Sequence, residues 1–401
     1  MKSTTQVSIA RTAMEFESYR SFLDSVHTHP AATPATLAQE SADSLPRAAV
    51  LHRDGKPRAL IAGKLTETDQ EFRLGYLKLG STRVRVLRVV TGGLLGDVQG
   101  EEEAKLLCDG LVEYLREGEA DAVQLVGVRA GSPLLRAITE CSGWLLRDRS
   151  VRIEPHWWLS LPGSYDEFYK SRSRNTKSMI RQARNRIDNR YGAKAEVRCY
   201  RKAHEVEVAM RDCEYVATKT YQRAINVGFV PDQALRRQWL HEAEQGWLAA
   251  FVLYLEGEAS AFWTGAVYRN IFNSYTTGFD PKLAYYNPGT FLLMQMVETF
   301  CASGVTAIDF GSGEAEYKRK FGTENREESS PLMFAPTFRG VRLALSTNTL
   351  AMVSNASRAL LTDKHRLRLK TLWRRGLQKK SDAEVEAPVD GEPAPARSPA
   401  K

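Results

Sequence analysis

The sequence predicts a mixed α/β protein made of two similar halves, each with a mixed central sheet flanked by helices. Three observations support this fold class. Residues 247–335 read as three strands, a helix, a strand, a short helix and a last strand. Residues 48–161 show a similar order of elements, although the residues themselves do not repeat. The chain has 401 residues, which is too long for one average domain.

The second half has the clearest pattern. Its three-strand meander is predicted at 247–256, 259–268 and 271–278, with reversals at Glu256-Gly257-Glu258 and at Arg269-Asn270. The elements expected after it are a helix from Asn287 to about Ala302, a strand at 305–310, a helix at 314–321 and a strand near 331–335. Two helices, at about 165–190 and 203–225, are expected before it.

The first half is predicted from similar patterns. Its strands are expected at 48–53, 58–66, 71–79, 84–91 and 122–128, with a helix at 102–117 and another from about Ser132-Pro133. Strand-like sequence from Trp144 to Leu161 leads into the second half. The predicted domains are a degenerate first half at 1–160, a second half at 161–340, a basic helical extension at 341–380 and a disordered tail at 381–401.

The composition is that of a soluble globular protein, with 43% hydrophobic and 26% charged residues. We expect neither a secretory signal nor a membrane span, because no long apolar run is present. Five scattered cysteines and seven histidines without ligand spacing predict a reducing cytoplasm and no metal. The net charge of +8 favours anionic partners in general.

The segment richest in chemistry begins where the strand at 305–310 ends. Asp309-Phe310 leads through Gly311-Ser312-Gly313 into a polar helix that carries Glu314, Tyr317 and Lys318. Loops at such strand ends are where α/β proteins usually place ligands. Asp309 and Glu314 are therefore candidate bases. In the alternative, Asp309 only caps the loop and Tyr317 only packs.

A second candidate site is the helix start at Asn287-Pro288-Gly289-Thr290. Asn is a favoured N-cap, and proline suits the first helical position. Gly289 has no side chain to separate the free helix amides from a ligand, so this start can hold a phosphate. Because this helix precedes the acid-ended strand, we expect both sites at one edge of the sheet. An ordinary helix start would show the same residues.

The helix predicted around residues 170–190 has a basic arc beside an apolar one. The basic arc contains Arg174, Lys177, Arg181 and Arg184, and the apolar arc contains Met179, Ile180, Ala183 and Ile187. The apolar arc is predicted to be core. The basic arc is either a solvated helix face or a lip of positive charge that holds phosphates or an acidic substrate.

Together these segments resemble the GNAT acetyltransferase superfamily, in the branch of the CelD/BcsL-type proteins and the FemAB-like peptidoglycan aminoacyltransferases. The matching segments are Ser173-Arg174-Asn175-Thr176-Lys177, Thr220-Tyr221-Gln222, Gly278-Phe279-Asp280, Asn287-Pro288-Gly289, and Asp309 to Gly313 with Tyr317-Lys318. The resemblance covers about 160–335 well and implies tandem GNAT-like halves. One segment, Tyr285 to Gly289, departs from the Gln/Arg-x-x-Gly-x-Gly/Ala pattern of the usual pyrophosphate loop.

The resemblance implies direct acyl transfer from acetyl-CoA or another acyl-CoA to a cell-envelope glycan, lipid or amino sugar, as in polysaccharide biosynthesis. Tyr317 stands where GNAT enzymes place the tyrosine that serves the thiolate, and Lys318 would neutralise a phosphate or orient the acceptor. Strand amides at 271–278 would polarise the acyl carbonyl. The donor is expected at Thr277, Asn287, Gly289 and Thr290, and anionic groups at Arg174, Lys177 and Arg181.

Two alternatives to an acyl-CoA enzyme stay open. FemAB-like relatives use aminoacyl-tRNA, so the donor would then be a charged tRNA; a non-catalytic binding protein would keep the fold alone. For the basic region 358–380 we expect a capping extension on the second half, and contact with an anionic membrane at its inner face is the alternative. Direct DNA binding is not expected, because the basic arc lacks interleaved aromatic residues.

Overall fold

The computed structural model describes residues 4–41, 43–74, 77–98, 100–220 and 228–360. It confirms the predicted class, a mixed α/β fold with mixed sheets flanked by helices. The strands are β1 (Thr5–Ala10), β2 (Ser44–Arg53), β3 (Lys56–Leu74), β4 (Leu77–Gly96), β5 (Ala122–Gln124), β6 (Val128–Arg129), β7 (Ile153–Ser160), β8 (Ala195–Tyr200), β9 (Leu248–Leu255), β10 (Glu258–Tyr268), β11 (Ile271–Phe279), β12 (Ala307–Ser312), β13 (Glu324–Ser329) and β14 (Leu332–Phe334).

The α-helices, in chain order, are α1 (Ala13–Ser18), α2 (Arg20–Val26), α3 (Pro34–Ala38), α4 (Glu101–Arg116), α5 (Pro133–Cys141), α6 (Tyr165–Ser171), α7 (Arg174–Tyr191), α8 (Val206–Thr218), α9 (Gln233–Glu244), α10 (Pro288–Ala302), α11 (Glu316–Phe321) and α12 (Phe338–Leu360). Short 3-10 turns lie at Pro30–Ala32, Gly192–Lys194, Ala203–Glu205 and Pro281–Tyr286. None of the helices described is both long and apolar enough to cross a membrane.

The described residues fall into two compact units. Those within Met1–Lys177, Gly265–Tyr275 and Met296–Leu361 form the first unit, and those within Ser178–Thr264 and Thr276–Gln295 form the second. The division falls inside α7, β10, β11 and α10, so the units are not consecutive stretches of chain. The proposed halves at 1–160 and 161–340 remain a prediction.

A six-stranded sheet organises the first part of the first unit, in the order β1-β2-β3-β4-β5-β14. Alternate residues of β2 point to opposite faces, as the two-residue period of a strand requires. Ala49 and Leu51 pack into the core with α4 and α5, whereas Ala48 and Val50 pack with the N-terminal helices. Helices therefore cover both faces of this sheet.

The first unit also contains a ladder in the order β6-β13-β7-β12-β11. Here β12 runs parallel to β11 and antiparallel to β7. The chain passes between these two sheets twice. The first time it leaves β5 in the six-stranded sheet for β6, which pairs with β13, and the second time it leaves β13 for β14, which pairs with β5. The strand that carries the candidate acid, β12, is thus central and paired on both sides, and so are β7 next to it and β13 beyond β7.

In the second unit, β8 pairs antiparallel with β9, and β10 and β11 follow in the sheet order. All eight residues of β9 are buried, which explains why its sequence is a continuous apolar run. Trp239 of α9 and Val206 and Cys213 of α8 pack into the core against β9. One segment of the predicted resemblance, Tyr221-Gln222, lies outside the described residues, as do 361–401 with most of the basic extension and the predicted tail.

Some predicted elements are wrong in their limits. Residues 58–66 and 71–79 were expected as separate strands, yet β3 runs unbroken from Lys56 to Leu74 against β4. The polar residues 66–70 continue the ladder because its hydrogen bonds do not require apolar side chains. The helix expected at 165–190 is two helices, since Ser173 caps a new start by accepting from the Thr176 amide at 3.2 Å.

A core substitution in α4 should destabilise the first unit strongly. Leu111 is fully buried, so Leu111→Ala removes packing and leaves a cavity, at a cost of about 2–5 kcal/mol in the free energy of unfolding. Leu345 of α12 is 50% exposed, so Leu345→Ala should cost less than about 1 kcal/mol. Urea unfolding followed by circular dichroism measures both, and equal losses would contradict this packing.

Candidate active site

The loop after β12 is shaped by a bulge and two glycines. Pairing with β7 shifts register between Asp309 and Gly311, so the strand bends immediately after the acid. Gly311 and Gly313 adopt φ of 72° and 91°, which side-chain-bearing residues rarely adopt. The bend leaves Asp309 only 8% exposed, and its Oδ1 accepts from the Gly311 amide at 2.7 Å. The sequence predicts a strand at 305–310 followed directly by the loop, but β12 runs from Ala307 to Ser312, because Gly311 and Ser312 still pair with β7 beyond the bulge.

His156 of β7 lies between two carboxylates. Its Nε2 donates to Asp309 Oδ1 at 2.6 Å, and its Nδ1 donates to Glu328 Oε2 at 2.8 Å. The three side chains come from adjacent strands, β12, β7 and β13, and all three are buried. We call this set the Asp309–His156–Glu328 cluster.

The cluster holds its histidine charged. Burial on its own lowers the pKa of His156, but the hydrogen bonds to Asp309 and Glu328 outweigh it and raise that pKa to about 9. Burial likewise works to raise the pKa of Glu328, and the bonds from His156 and Arg326 outweigh it and lower that pKa. At neutral pH, His156 is therefore an imidazolium with both N–H groups engaged, so it cannot itself accept a proton.

Two further groups support the cluster. Arg326 Nε donates to Glu328 Oε1 at 2.5 Å, which balances the second carboxylate. Lys318 is buried, and its Nζ donates to the carbonyls of Gly311 and Ser312 at 3.1 and 2.7 Å. Burial lowers the pKa of Lys318, against the opposing attraction of Asp309, Glu154 and Glu314. Lys318 thus fixes the loop that follows the acid.

The cluster borders a cavity of about 830 Å³ that lies within the first unit. Its lining includes Asp309, His156 and Glu328, the β11 residues Ile271 and Asn273 to Tyr275, and Thr28, His29, Thr91 and Gly92 from the N-terminal region. The volume suits a small-molecule site, which commonly measures about 300–1,000 Å³. Of the four predicted catalytic residues, Asp309 is among the residues that line this cavity.

His29 is a neutral imidazole in this lining. Its Nδ1 accepts from the Ala31 amide at 3.1 Å, so the ring proton sits on Nε2. Burial, opposed by the attraction of Asp309 and assisted by the repulsion of His156, lowers the pKa of His29 to about 4. Gly92 makes room for the ring, because a Cβ there would lie 2.5 Å from His29 Cβ. His29 can therefore donate a hydrogen bond without carrying charge.

The other predicted catalytic residues lie on and before α11. The half-buried Tyr317 ring packs edge-on against Phe310, with centroids 5.5 Å apart, and burial raises the Tyr317 pKa to about 12. Glu314 is exposed and forms an ion pair with Arg319 at 3.4 Å. Tyr317 therefore keeps its proton at neutral pH, whereas Glu314 lies in solvent.

The second unit contains the predicted donor residues. Asn287 adopts φ of 55°, and its carbonyl accepts from the amides of Thr290 and Phe291 at 3.1 and 3.2 Å. Its side-chain Oδ1 accepts from the Thr290 hydroxyl at 3.0 Å. The Gly289 amide stands at the second position of α10, where no intrahelical partner exists. A Cβ on Gly289 would make only ordinary contact, 3.6 Å from Phe279.

Two neighbours of this helix start bear on the donor site. Thr277 donates its hydroxyl to the Phe262 carbonyl at 2.9 Å, which ties β11 to β10. Arg186 of α7 donates to the Tyr285 carbonyl at 2.6 Å and stacks 4.4 Å from the Tyr285 ring centre. The sequence pattern missed Arg186, because it lies outside the basic arc. These contacts place the Arg186 guanidinium at Tyr285, which precedes Asn287 by two residues in the chain.

The basic arc is divided between the units. Arg174 and Lys177 belong to the first unit, and Arg181 belongs to the second. Arg174 and Arg181 are exposed, while Lys177 donates to the Lys170 carbonyl at 2.8 Å. The adjoining Ile180, Ala183 and Ile187 are buried, as predicted for core.

Sequence reasoning also missed His156, Glu328 and His29. A lone histidine in a strand carries no spacing signal, and Glu328 sits in a polar run that does not read as a strand. The available signal for His156 was its position within the strand-like segment from Trp144 to Leu161. Within the described ranges, no group of three or more His, Cys, Asp or Glu residues is arranged to hold a metal ion.

Comparison with known proteins identifies one domain. The model of the acetyltransferase (GNAT) domain family matches residues 174–319, which include α10, β12 and most of α11. No curated protein shows a significant match to the chain.

Solved structures of low identity also match. FemX is 11% identical, with 82% of this chain and 97% of that chain covered and a TM-score of 0.49. A tandem GNAT protein from the clavulanic acid biosynthesis pathway is 10% identical, with 83% and 99% covered and a TM-score of 0.47. The glucosamine N-acetyltransferase region of a fungal multi-domain GH3 beta-N-acetylglucosaminidase is 13% identical, with 83% and 38% covered and a TM-score of 0.47.

The charged state of His156 predicts a pH-dependent contribution to stability. Because its folded pKa of about 9 lies above the ordinary 6.5, the contribution is fully present below pH 6.5 and disappears as the pH rises through 9. The difference in unfolding free energy between the natural chain and His156→Asn should therefore fall by about 3 kcal/mol between pH 6 and 10.

Nitrogen-detected NMR of the imidazole gives the midpoint directly. A titration near pH 9 that is absent from His156→Asn is expected. A midpoint at or below 6.5 for His156 would show that the two carboxylates do not hold it charged.

Proposed function

We propose that this chain is an acyltransferase that moves an acyl group from acyl-CoA to an amine or hydroxyl of a cell-envelope glycan, lipid or amino sugar. The observation that carries the proposal is the acetyltransferase (GNAT) domain match over 174–319, which includes both Asp309 and the start of α10. The cavity beside Asp309 supports it, since it has the size of an acceptor site. The five cysteines are free thiols, which suits a cytoplasmic reaction.

Asp309 is the proposed base. Its hydrogen bonds from His156 and Gly311 both fall on Oδ1, which leaves Oδ2 to take the acceptor's proton. The acceptor nitrogen or oxygen attacks the thioester carbonyl carbon, the new C–N or C–O bond forms, and the C–S bond breaks. Asp309 is a better base candidate than Glu314, because Glu314 is exposed and paired with Arg319.

The cluster around Asp309 positions the carboxylate rather than exchanging protons. His156 fixes Oδ1 with a charged hydrogen bond, and Glu328 with Arg326 keeps the imidazolium balanced. His29 is placed to donate from Nε2 to an oxygen of the acceptor or of the acyl group in the same cavity. A neutral donor strengthens such a bond as negative charge develops, without repelling the His156 cation.

Tyr317 is the proposed acid for the departing thiolate. Its phenol carries a proton at neutral pH, and burial raises its pKa to about 12. Lys318 acts through the loop by holding the Gly311 and Ser312 carbonyls. One proton moves from the acceptor to Asp309 and one from Tyr317 to the thiolate, and proton exchange with water then restores the Asp309 carboxylate and the Tyr317 phenol.

The donor is assigned to the start of α10. A phosphate of acyl-CoA would approach the Gly289 amide and the positive end of the helix dipole. Asn287 and Thr290 shape this turn through their mutual hydrogen bond, Thr277 fixes the neighbouring strand, and Arg186 adds a cation. Arg174, Lys177 and Arg181 supply further positive charge for the phosphates or for an acidic acceptor.

Neutralising Asp309 should abolish most turnover while the loop keeps its shape. Asn retains an Oδ1 that accepts from Gly311 and His156, so Asp309→Asn should fold but lose about 10²–10⁴-fold in kcat. Release of free CoA from acetyl-CoA in the presence of amine and amino-sugar acceptors measures this. Asp166→Asn is a matched control, since Asp166 is exposed on α6. Equal activity in both variants would remove Asp309 as the base.

A negative charge at the start of α10 should weaken donor binding. Gly289→Asp suits a helix start, so the fold is retained, but the carboxylate repels phosphates and should lower acetyl-CoA affinity roughly tenfold. Gly163→Asp provides the control, because Gly163 is exposed and a Cβ there meets nothing within 4 Å. Isothermal titration with acetyl-CoA and longer acyl-CoAs measures both. Transfer from charged tRNA without any acyl-CoA binding would replace the proposed donor.

A further inference from the structure

The loop between α5 and β7, together with the first residue of β7, exposes large apolar side chains. Trp144 is 71% exposed, Leu145 51% and Ile153 57%. Hydrogen bonds hold this loop in place: the Asp148 carboxylate accepts from the Ser150 amide at 2.7 Å and from the Leu332 amide at 3.0 Å. These side chains are therefore held outward by an anchored loop, and their exposure is a property of the fold.

Helix α12 presents a matching apolar stripe to solvent. Phe338, Leu345 and Met352 are all exposed and recur every seven residues, which places them along one side of the helix. Leu343 and Ala344 are buried on the other sides. The helix thus has an inward face that packs and an exposed face on which these three apolar side chains stand beside Arg342 and Thr349.

The loop and the stripe form one surface. Asn348 accepts from the Arg149 amide at 2.8 Å through Oδ1 and donates to the Arg147 carbonyl at 3.0 Å through Nδ2. Leu345 and Met352 lie three residues before and four after Asn348, so they flank the point where the loop is attached. We define the loop–helix surface as Trp144, Leu145, Val151, Ile153, Phe338, Leu345 and Met352.

Positive charge surrounds this surface. Arg147, Arg149 and Arg152 are exposed on the loop, and Arg339 is exposed on the first turn of α12. The carboxylate of Asp148 is turned inward to backbone amides, so it offsets little of that charge. The sequence directly after α12, residues 361–380, contains eight Lys or Arg residues and one acidic residue.

We propose that the loop–helix surface binds peripherally to an anionic lipid bilayer. Trp and long aliphatic side chains favour the headgroup region of a membrane, where an apolar body is buried and polar groups stay wet. Arginines beside them attract acidic lipid headgroups. A protein partner would need an acidic rim as well as an apolar centre, whereas a bilayer supplies both along a flat surface. The proposal stands on residues outside the cavity and holds whether or not the chain transfers acyl groups.

Co-sedimentation of the full chain with vesicles tests the proposal. Binding is expected to phosphatidylcholine vesicles that contain about one-third phosphatidylglycerol, and weak or no binding to pure phosphatidylcholine. The double variant Trp144→Ser/Met352→Ser should bind roughly tenfold more weakly. Arg149→Gln and Arg152→Gln should each cost roughly fivefold, and added salt should reduce that loss. Met14→Ser is the matched control, because Met14 is 84% exposed on α1.

Three outcomes would overturn the proposal. The first is no binding of the natural chain to anionic vesicles. The second is vesicle binding that Trp144→Ser/Met352→Ser leaves unchanged, which would assign it to the basic segment alone. The third is loss of self-association in that variant without loss of vesicle binding, measured by light scattering, which would make the surface an interface between copies of the chain. All substituted residues are exposed, so circular dichroism should show an intact fold in each variant.

Discussion

The buried charge pairing of His156 with Asp309 and Glu328 is the constraint on which the candidate site depends. Two carboxylates taken out of water on either side of β7 would repel each other and lose hydration, a cost of several kcal/mol per ion. An imidazolium that donates to both, at 2.6 and 2.8 Å, offsets that cost and fixes the spacing of β12, β7 and β13. His156 is the member that this arrangement tolerates losing least, since without it the Asp309 carboxylate is buried with no charged side chain hydrogen-bonded to it. The pairing also explains why a strand as polar as β13 lies inside the sheet.

The same pairing determines what each group can do in chemistry. A histidine with both nitrogens donating holds carboxylates and cannot accept a proton, so in the proposed reaction the acceptor's proton goes to the second oxygen of Asp309. The bulge after Asp309 and the amine of Lys318 fix the loop that follows this carboxylate. His29 lies in the same lining but stays neutral, chiefly because burial disfavours its charged form and, to a smaller extent, because the His156 cation repels a second positive charge. The surroundings of the two histidines therefore keep His156 charged and His29 neutral.

Local pattern predicted most of the elements but only part of the site. The run from Leu248 to Leu255 and the helix start at Pro288 each carry a short-range signal, and each appears where expected. The strand that contains Asp309 also carries a signal, but it lies at Ala307–Ser312, two residues later than predicted. Polar strands such as β13 have no such signal, because their stability comes from pairing on both sides. The partners of Asp309 were missed for a related reason. His156 and Glu328 lie 153 and 172 residues from their hydrogen-bond partners, a distance over which periodicity says nothing.

The cavity gives the N-terminal region a physical role. Thr28, His29, Thr91 and Gly92 line it together with β11, β12 and β13, all within the first unit. Gly92 is required there because φ of 73° and the closeness of the His29 ring leave no room for a side chain. Under the proposed function, this region helps to determine which acceptor fits, because it supplies part of the lining of the cavity that contains Asp309. Under this view, selection for the acceptor acts on residues near His29, whereas selection for the donor acts on the start of α10.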